Sequence, residues 1–328
     1  MVSNIKLNLL IIISLLLLAL YTPLSSQNVP PCQAVVIDVE GKVQIESPVR
    51  SSFQEAIFGS QLFNGDQIKT LNNSQVVISL GESRFITLSA NSTLTISQNM
   101  PTANNDNTSV LDLDKKLSEN ILLSIRESEN GEVGVLAGLR SGSQKEVTLL
   151  SPRNSKLRTL RPAFKWEAKE EFDQFIVNLF DDSGKIWSME VKDKSLDFPS
   201  DKVPLNQGCN YFWYVEAKSL FEEHRSESVG FTIATKEEQQ MVKVESDKIG
   251  KLFHDSDFSS AYRCLLGSYF EKEGFIADAI SNYEIISQQN PDAPLPHQIL
   301  GKLFQKIGLT DKAIDALQQA KQLKNKIE

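Results

Sequence analysis

The sequence lacks the features that nucleic-acid binding and metal binding require. Asp and Glu number 42 against 34 Lys and Arg, which gives a net charge of -8 at pH 7. Proteins that grip nucleic acid carry a basic patch or a basic balance, so we expect no nucleic-acid partner. The three histidines, His224, His254 and His297, stand at neither metal-ligand nor triad spacing. We interpret them as solvated side chains.

Cysteine is equally scarce. The chain has three, Cys32, Cys209 and Cys264, far apart and without a CxxC pair. This spacing gives no support to a zinc site, and it allows at most one disulfide. We therefore predict no metal, and we interpret the cysteines as structural or inert.

Catalytic motifs are missing as well. The sequence contains no Gly-x-Ser-x-Gly elbow, no P-loop and no dinucleotide fingerprint. Acidic pairs such as Glu170-Glu171 and Asp181-Asp182 could act as glycosidase carboxylates only if a cleft brought them together. Turns and solvated faces are the commoner setting for such pairs. We expect no catalytic residue and no cofactor, and we predict that the protein is not an enzyme.

Residues 1–26 have the pattern of a signal peptide. Lys6 precedes the apolar run Leu9–Tyr21, which only Ser14 interrupts, and small or polar residues follow at 25–27. The run is shorter than the ~20 residues that a membrane-spanning helix needs. We predict export to the periplasm or another part of a bacterial cell envelope. The alternative is an uncleaved anchor, through which alone the protein would touch a membrane.

Residues 34–98 are predicted to form an all-β domain. Apolar residues alternate with polar ones at Val76, Ile78 and Leu80, and the same period recurs in several short runs. Asn64-Gly65 lies between apolar residues, which predicts a hairpin turn.

The order of short motifs in this segment resembles a known family. The motifs are Gly41-Lys42-Val43, Leu62 with Gly65-Asp66 and Ile68-Lys69-Thr70, Ser74-Gln75-Val76 with Ile78, and Ile86-Thr87-Leu88 with Asn91-Ser92 and Leu94. Together they resemble the periplasmic domain of the iron-dicitrate regulator family, the FecR domain. The resemblance implies that Gly65-Asp66 and Asn91-Ser92 form tight turns and serve the fold.

A second β unit is expected at 147–235, after a linker or extended connector at 99–146. Its strands include 161–166, 175–180 and 211–217, with a turn at 181–184. Strands at this spacing are typical of a β-sandwich. The order Pro-x-Phe-x-Trp, hairpin, Leu-x-x-Gly-x-x-Tyr-x-Trp-x-Val-x-Ala resembles fibronectin-type or immunoglobulin-like modules. Trp166 and Trp213 are predicted core residues, with an exposed sugar-binding platform as the sharper alternative.

From residue 236 the apolar period becomes helical. Residues 236–254 predict one helix, and the segments 260–293 and 294–327 repeat each other. Leu266-Gly267 recurs as Leu300-Gly301, 34 positions later, and Ala279-Ile280 recurs as Ala313-Ile314. This period resembles the tetratricopeptide repeat. The predicted architecture is therefore a multidomain chain, β then α: a FecR-like β domain, an Ig/fibronectin-like β-sandwich and C-terminal helical repeats.

The modules predict binding rather than catalysis. We expect a non-catalytic envelope scaffold or adaptor that binds a protein or peptide through its helical repeats. The β modules would bind an envelope partner or a cell-wall polymer. Candidate partner-binding residues are Ala261, Tyr262, Leu265 and Lys302. An envelope-side sensor of the FecR type is the first alternative, and a cell-wall hydrolase is the second.

Overall fold

The computed structural model describes residues 32–48, 50–80, 84–97, 102–103, 108–112, 145–253 and 259–327. The predicted signal peptide lies outside these residues, as do 113–144 of the predicted connector. Among the described residues, no helix is both long and apolar enough to cross a membrane.

Two five-stranded antiparallel sheets form the N-terminal β unit, residues 33–112. One sheet has the strand order β10-β7-β6-β1-β4 and the other β3-β2-β5-β8-β9. The strands are β1 (Ala34–Glu40), β2 (Val43–Ser47), β3 (Arg50–Glu55), β4 (Gln61–Leu62), β5 (Gln67–Thr70), β6 (Gln75–Leu80), β7 (Arg84–Leu88), β8 (Thr93–Thr95), β9 (Thr102–Ala103) and β10 (Thr108–Asp112). The alternating apolar residues of these strands meet in one buried core, which includes Val36, Ile45, Ile68, Ile78 and Leu88.

The predicted hairpin at Asn64-Gly65 is wrong, because the strands on its two sides belong to different sheets. β4 pairs with β1, whereas β5 pairs with β2 and β8. Gly65 has φ +92°, and the buried Asp66 carboxylate accepts a hydrogen bond from Phe63 N at 2.9 Å. Positive φ at Gly65 thus serves a crossover between sheets. The turn expected at Asn91-Ser92 is confirmed, with Asn91 at φ +58°.

The boundary at 98/99 also needs correction. Thr108–Asp112 pairs antiparallel with Arg84–Leu88, and Thr102–Ala103 pairs with β8. Backbone hydrogen bonds hold an edge strand in its sheet, and they do not require apolar and polar residues to alternate. The Asn-rich composition of 99–109 therefore gave no sign of these two strands. The N-terminal β unit therefore extends through Asp112.

Residues 145–235, the middle β unit, form a sandwich. Strands β11, β13 and β16 make one sheet, and β12, β19, β17, β14, β15 and β18 make the other. The bounds are β11 (Val147–Ser151), β12 (Lys156–Leu157), β13 (Phe164–Ala168), β14 (Gln174–Asp181), β15 (Gly184–Val191), β16 (Ser195–Leu196), β17 (Asn210–Lys218), β18 (Glu223–Arg225) and β19 (Val229–Ile233). Trp166 and Trp213 lie in its core, 2% and 0% exposed, so their predicted core role is confirmed.

Tyr211 ties the sandwich together near the start of β17. Its phenol oxygen accepts a hydrogen bond from Asn206 N at 2.8 Å. This contact is the tyrosine corner of fibronectin-type and immunoglobulin-like sandwiches, in which a tyrosine closes onto backbone a few residues upstream. The predicted turn at 181–184 is also present, with Asp181 Oδ1 accepting from Ser183 N at 2.8 Å.

The C-terminal residues form helices that pack as antiparallel pairs, here termed the helical array. They are α1 (Lys236–Leu252), α2 (Ser260–Glu273), α3 (Ile276–Gln289), α4 (Pro294–Lys306) and α5 (Thr310–Ile327). Thr235 begins α1 with a capping box, because its hydroxyl accepts from Glu238 N and the Glu238 carboxylate accepts from Thr235 N.

Helix pairs approach closely at the two repeated glycines. A Cβ on Gly267 would lie 2.7 Å from Tyr283 Cε2, and a Cβ on Gly301 would lie 2.6 Å from Leu317 Cγ. The sequence repeat thus corresponds to a repeated close contact, between α2 and α3 and again between α4 and α5. The tetratricopeptide and FecR families themselves remain predictions.

Candidate functional site

A buried arginine joins the sandwich to the helical array. Arg153, 5% exposed, follows β11 and reaches the end of α4. Its Nε donates to Ile307 O at 2.5 Å and its Nη2 to Gly308 O at 3.0 Å. Asn154 Nδ2 donates to Ile307 O as well, at 3.0 Å. The carbonyls at a helix C-terminus have no partners within the helix, so the sandwich supplies the missing donors.

Arg153 also forms an ion pair within the sandwich. Its Nη1 lies 2.6 Å from Glu227 Oε1, and Lys145 Nζ lies 2.5 Å from Glu227 Oε2. Burial alone would raise the pKa of Glu227, but hydrogen bonds and charge from Lys145 and Arg153 outweigh it and lower that pKa. The carboxylate therefore stays ionised and holds the arginine in place.

The α2–α3 turn contacts the same sandwich segment. Lys156 N donates to Gly274 O at 2.9 Å, and Ala277 N donates to Ser155 Oγ at 3.1 Å. Arg158 pairs with Asp278 at 2.6 Å. Residues 153–158 thus contact the turns inside both helix pairs.

The N-terminal β unit meets the opposite end of a helix. Asp38 of β1 accepts hydrogen bonds from Ser260 N and Ala261 N, in the first turn of α2. Burial raises the pKa of Asp38 and these backbone donors lower it, with a net upward shift. A carboxylate at a helix N-terminus is favoured by the helix dipole, so Asp38 acts as a cap supplied by another part of the chain.

The contact with the N-terminal β unit lies at the start of α2, the helix that carries three of the four predicted partner-binding residues. Ala261 and Leu265 are both 0% exposed, so a partner could reach them only if the chain rearranged. Tyr262 and Lys302 are half-buried. The structure therefore places two of the four in packed surroundings and two at the surface, and it does not gather them into one open groove.

A cleft of about 760 Å³ opens elsewhere, between the N-terminal β unit and the last two helices. One wall consists of residues between Gln54 and Phe63, and the other of Pro294, Leu295 and Gln298 from α4 with Lys324 and Ile327 from α5. The walls touch at Gly59, where φ is +88° and a Cβ would lie 2.7 Å from Leu295 Cβ. No side chain fits at Gly59, and this close approach closes one side of the cleft.

A sheet edge borders the cleft. Among the described strands, β3 has β2 as its one neighbour. Ala56 N donates to Val43 O, and Gln54 pairs with Ile45. Because bonding alternates along an antiparallel pair, the backbone N–H and C=O of Glu55, between Gln54 and Ala56, point away from β2. The cleft therefore combines outward backbone groups with apolar wall residues such as Ile57 and Ile327.

Such a site suits an extended peptide segment. A peptide can add a strand to an exposed sheet edge, where backbone hydrogen bonds give affinity and side-chain pockets give specificity. Ile57 and Phe63 on one wall are half-buried and Ile327 on the other is 50% exposed, so each wall offers apolar surface. Glu55 and Lys324 add one charge of each sign.

The titratable groups with shifted pKa values are not among the residues that line the cleft. Burial raises the pKa of the Cys264 thiol to about 12, and burial raises that of Tyr269 to about 12. Burial lowers the pKa of His297, which is 8% exposed, so the expectation that it is solvated is wrong. Within the part of the chain that the structure describes, no three His, Cys, Asp or Glu side chains come together as metal ligands.

Sequence reasoning missed the cleft because its walls come from residues about 240 positions apart. Residues 50–63 gave a β pattern and 294–327 a helical one, and neither pattern specifies which surfaces meet. The one local sign was Ile57-Phe58-Gly59, where two apolar residues adjoin a glycine.

The comparisons with known proteins add little to this description. No family model matches the chain, and no curated protein matches it. Solved structures similar to it include two fibronectin type-III domains of chicken tenascin, at 12% identity and TM-score 0.19, covering 61% of this chain and 91% of that one. Latent PorU from Porphyromonas gingivalis is similar at 9% identity and TM-score 0.24, covering 65% and 17%. The FN1-FN3 domains of chicken CNTN1 are similar at 10% identity and TM-score 0.21, covering 63% and 64%.

At such identities and TM-scores, these likenesses carry no argument about the fold or the function of this chain. The coarse architecture, in which β-sandwich sheets precede C-terminal helices, follows from the strands and helices of the chain itself.

Proposed function

We propose that the protein is a non-catalytic adaptor of the cell envelope that holds an extended segment of a partner protein in the cleft between β3 and helices α4 and α5. The observation that carries this proposal is the cleft itself, in which β3, an edge strand among the described residues, faces apolar helix surface. In the same proposal, the β units bind an envelope partner or wall polymer.

The repeat pattern supports a binding role for the helices. Paired helices that recur at 34 residues resemble the tetratricopeptide repeat, whose physical use is to present an extended surface to another chain. Asp38 and its β unit contact the start of α2, whereas α4 and α5 line the cleft. The proposed site is therefore displaced from the residues that the sequence suggested.

The test uses point substitutions, because deleting residues 236–328 would also strip the buried Arg153 of its helix-end partners. Ile327→Glu places a charge in the cleft at a side chain that is 50% exposed, so the fold should tolerate it. Val203→Glu is the matched control, at an 82% exposed position of the sandwich.

Tagged mature protein would be cross-linked in the envelopes of cells that express it, and the captured proteins would be quantified by mass spectrometry. We expect a partner that wild type and Val203→Glu recover equally and that Ile327→Glu recovers at least about tenfold less, as loss of a central apolar anchor would produce. Equal recovery by all three proteins would contradict the proposed use of the cleft.

A further inference from the structure

The tip of the β17–β18 hairpin exposes two large apolar side chains side by side. Leu220 is 85% exposed and Phe221 is 94% exposed. No other pair of neighbouring residues in the described part of the chain exposes so much apolar surface. Adjacent exposed apolar residues on a protruding element typically mark an interaction site.

The hairpin needs neither side chain for its own structure. Ser219 closes the turn, since Ser219 N donates to Glu222 O at 2.9 Å and Ser219 Oγ accepts from Glu222 N at 3.1 Å. Turns of this kind favour Gly, Pro, Asn, Asp or Ser at their central positions. The presence of Leu220 and Phe221 there has no explanation in local folding, whereas the polar closure holds both outward in a defined geometry.

The loop before β14 supports the tip from one side. Asp173 N donates to Lys218 O at 2.9 Å, and the Phe172 ring lies 5.7 Å from the His224 ring. These contacts bring segments 169–173 and 218–224 together as one surface, termed here the hairpin-tip surface.

The hairpin-tip surface is acidic. With His224 neutral, its net charge is -3, because two lysines, Lys169 and Lys218, stand against five carboxylates. The carboxylates are those of Glu170, Glu171, Asp173, Glu222 and Glu223. Lys194 and Glu146 flank this surface and carry opposite charges, so together they leave its net charge unchanged. Lys194 lies 3.4 Å from Glu171, and Glu146 lies 3.7 Å from Lys169. Within the surface, Lys218 lies 3.1 Å from Glu223. The apolar pair therefore projects from a surface whose net charge is negative.

We propose that the hairpin-tip surface docks onto a protein partner, with Leu220 and Phe221 inserted into an apolar pocket whose rim carries Lys and Arg. Complementary charge steers two surfaces together and fixes their register, and buried aromatic anchors supply most of the binding energy at such contacts. A membrane fits less well, since anionic headgroups attract basic rather than acidic segments. This surface is separate from the cleft and does not depend on it.

A photo-cross-linking amino acid at position 221 of the full chain, used in intact envelopes, would identify the bound protein and the residue it contacts. That protein, once purified, would be titrated by calorimetry against wild type and three variants. Leu220→Ser with Phe221→Ser should weaken the Kd at least about tenfold, and Glu222→Lys with Glu223→Lys should also weaken it. Val203→Glu, at an 82% exposed position that belongs to neither the hairpin-tip surface nor the cleft, should leave this Kd unchanged.

A compensating substitution gives the decisive comparison. Changing one Lys or Arg beside the cross-linked pocket to Glu should restore part of the affinity of the charge-reversed tip. Three results would overturn the proposal: a captured protein whose Kd ignores both tip variants, flotation of the protein with vesicles of phosphatidylethanolamine and phosphatidylglycerol that needs Leu220 and Phe221, or self-association in sedimentation velocity that needs them.

Discussion

Arg153→Ala tests whether the sandwich and the helical array unfold as one body. The substitution removes the donors to Ile307 O and Gly308 O and breaks the ion pair with Glu227, all at a side chain that is 5% exposed. Breaking a buried charge pair costs about 3–5 kcal/mol. Glu227 keeps Lys145 as a partner and Ile307 O keeps Asn154, so we expect the lower end, about 3 kcal/mol.

The chain offers two independent probes for this experiment. The three tryptophans, Trp166, Trp187 and Trp213, all lie in the sandwich core, so their fluorescence reports on that unit. The described helices all follow residue 235, so helical circular dichroism reports on the array. In urea, wild type should show coincident transitions, and Arg153→Ala should show an earlier loss of helix.

Arg158→Ala is the matched control. Arg158 spans the same interface and pairs with Asp278, but its side chain is 48% exposed. Exposed ion pairs contribute about 0.2–1 kcal/mol, so this variant should unfold almost like wild type. The reasoning fails if Arg153→Ala loses no more stability than Arg158→Ala and its two transitions still coincide.

Three further outcomes follow from particular contacts. Gly267→Ala should destabilise by about 1–3 kcal/mol because its Cβ would meet the Tyr283 ring at 2.7 Å, whereas Gly250→Ala, with no atom nearer than 4.0 Å, should stabilise by about 0.5–1 kcal/mol in the same urea experiment. The pKa of Asp38 is raised in the folded protein, so the free energy of unfolding should fall as the pH rises above the usual Asp value of 3.8. An Asp38→Asn variant whose free energy of unfolding changes with pH as that of wild type does would contradict this. Cys264, buried with a pKa of about 12, should resist iodoacetamide until urea unfolds the chain, as peptide mapping of the alkylated cysteines would show.

Local patterns predicted most of the regular structure. The alternation at Val76, Ile78 and Leu80 lies within β6, and the 34-residue repeat locates the glycines where helices touch. Both signals succeed because the periodicity of buried residues follows from backbone geometry alone. The hairpin at Asn64-Gly65 failed because positive φ specifies a turn but not the partners of the strands that leave it.

Contacts between distant segments were not predictable in this way. Arg153 bonds Ile307, 154 positions away, and no period in the sequence links them. Leu220 and Phe221 escaped notice because two apolar residues that closely follow β17 in the sequence give no sign of whether they are buried or exposed. Their exposure depends on Ser219, whose hydroxyl ends the strand, so the sign of a binding surface lay in a turn rather than in a hydrophobic pattern.

The polar contacts between the β units and the helical array match the partial charges of the helix ends. Asp38 places a negative charge at the N-terminus of α2, and Arg153 places a positive charge at the C-terminus of α4. Each sign matches the partial charge of the helix end that it meets, so each β unit recognises its own end of a helix and would be repelled by the other. A partner that competed for the start of α2 would have to replace a buried carboxylate, whereas the cleft beside α4 and α5 requires no such exchange. In the proposed function, the contacts that fix the units together therefore leave the cleft as the site for an incoming segment.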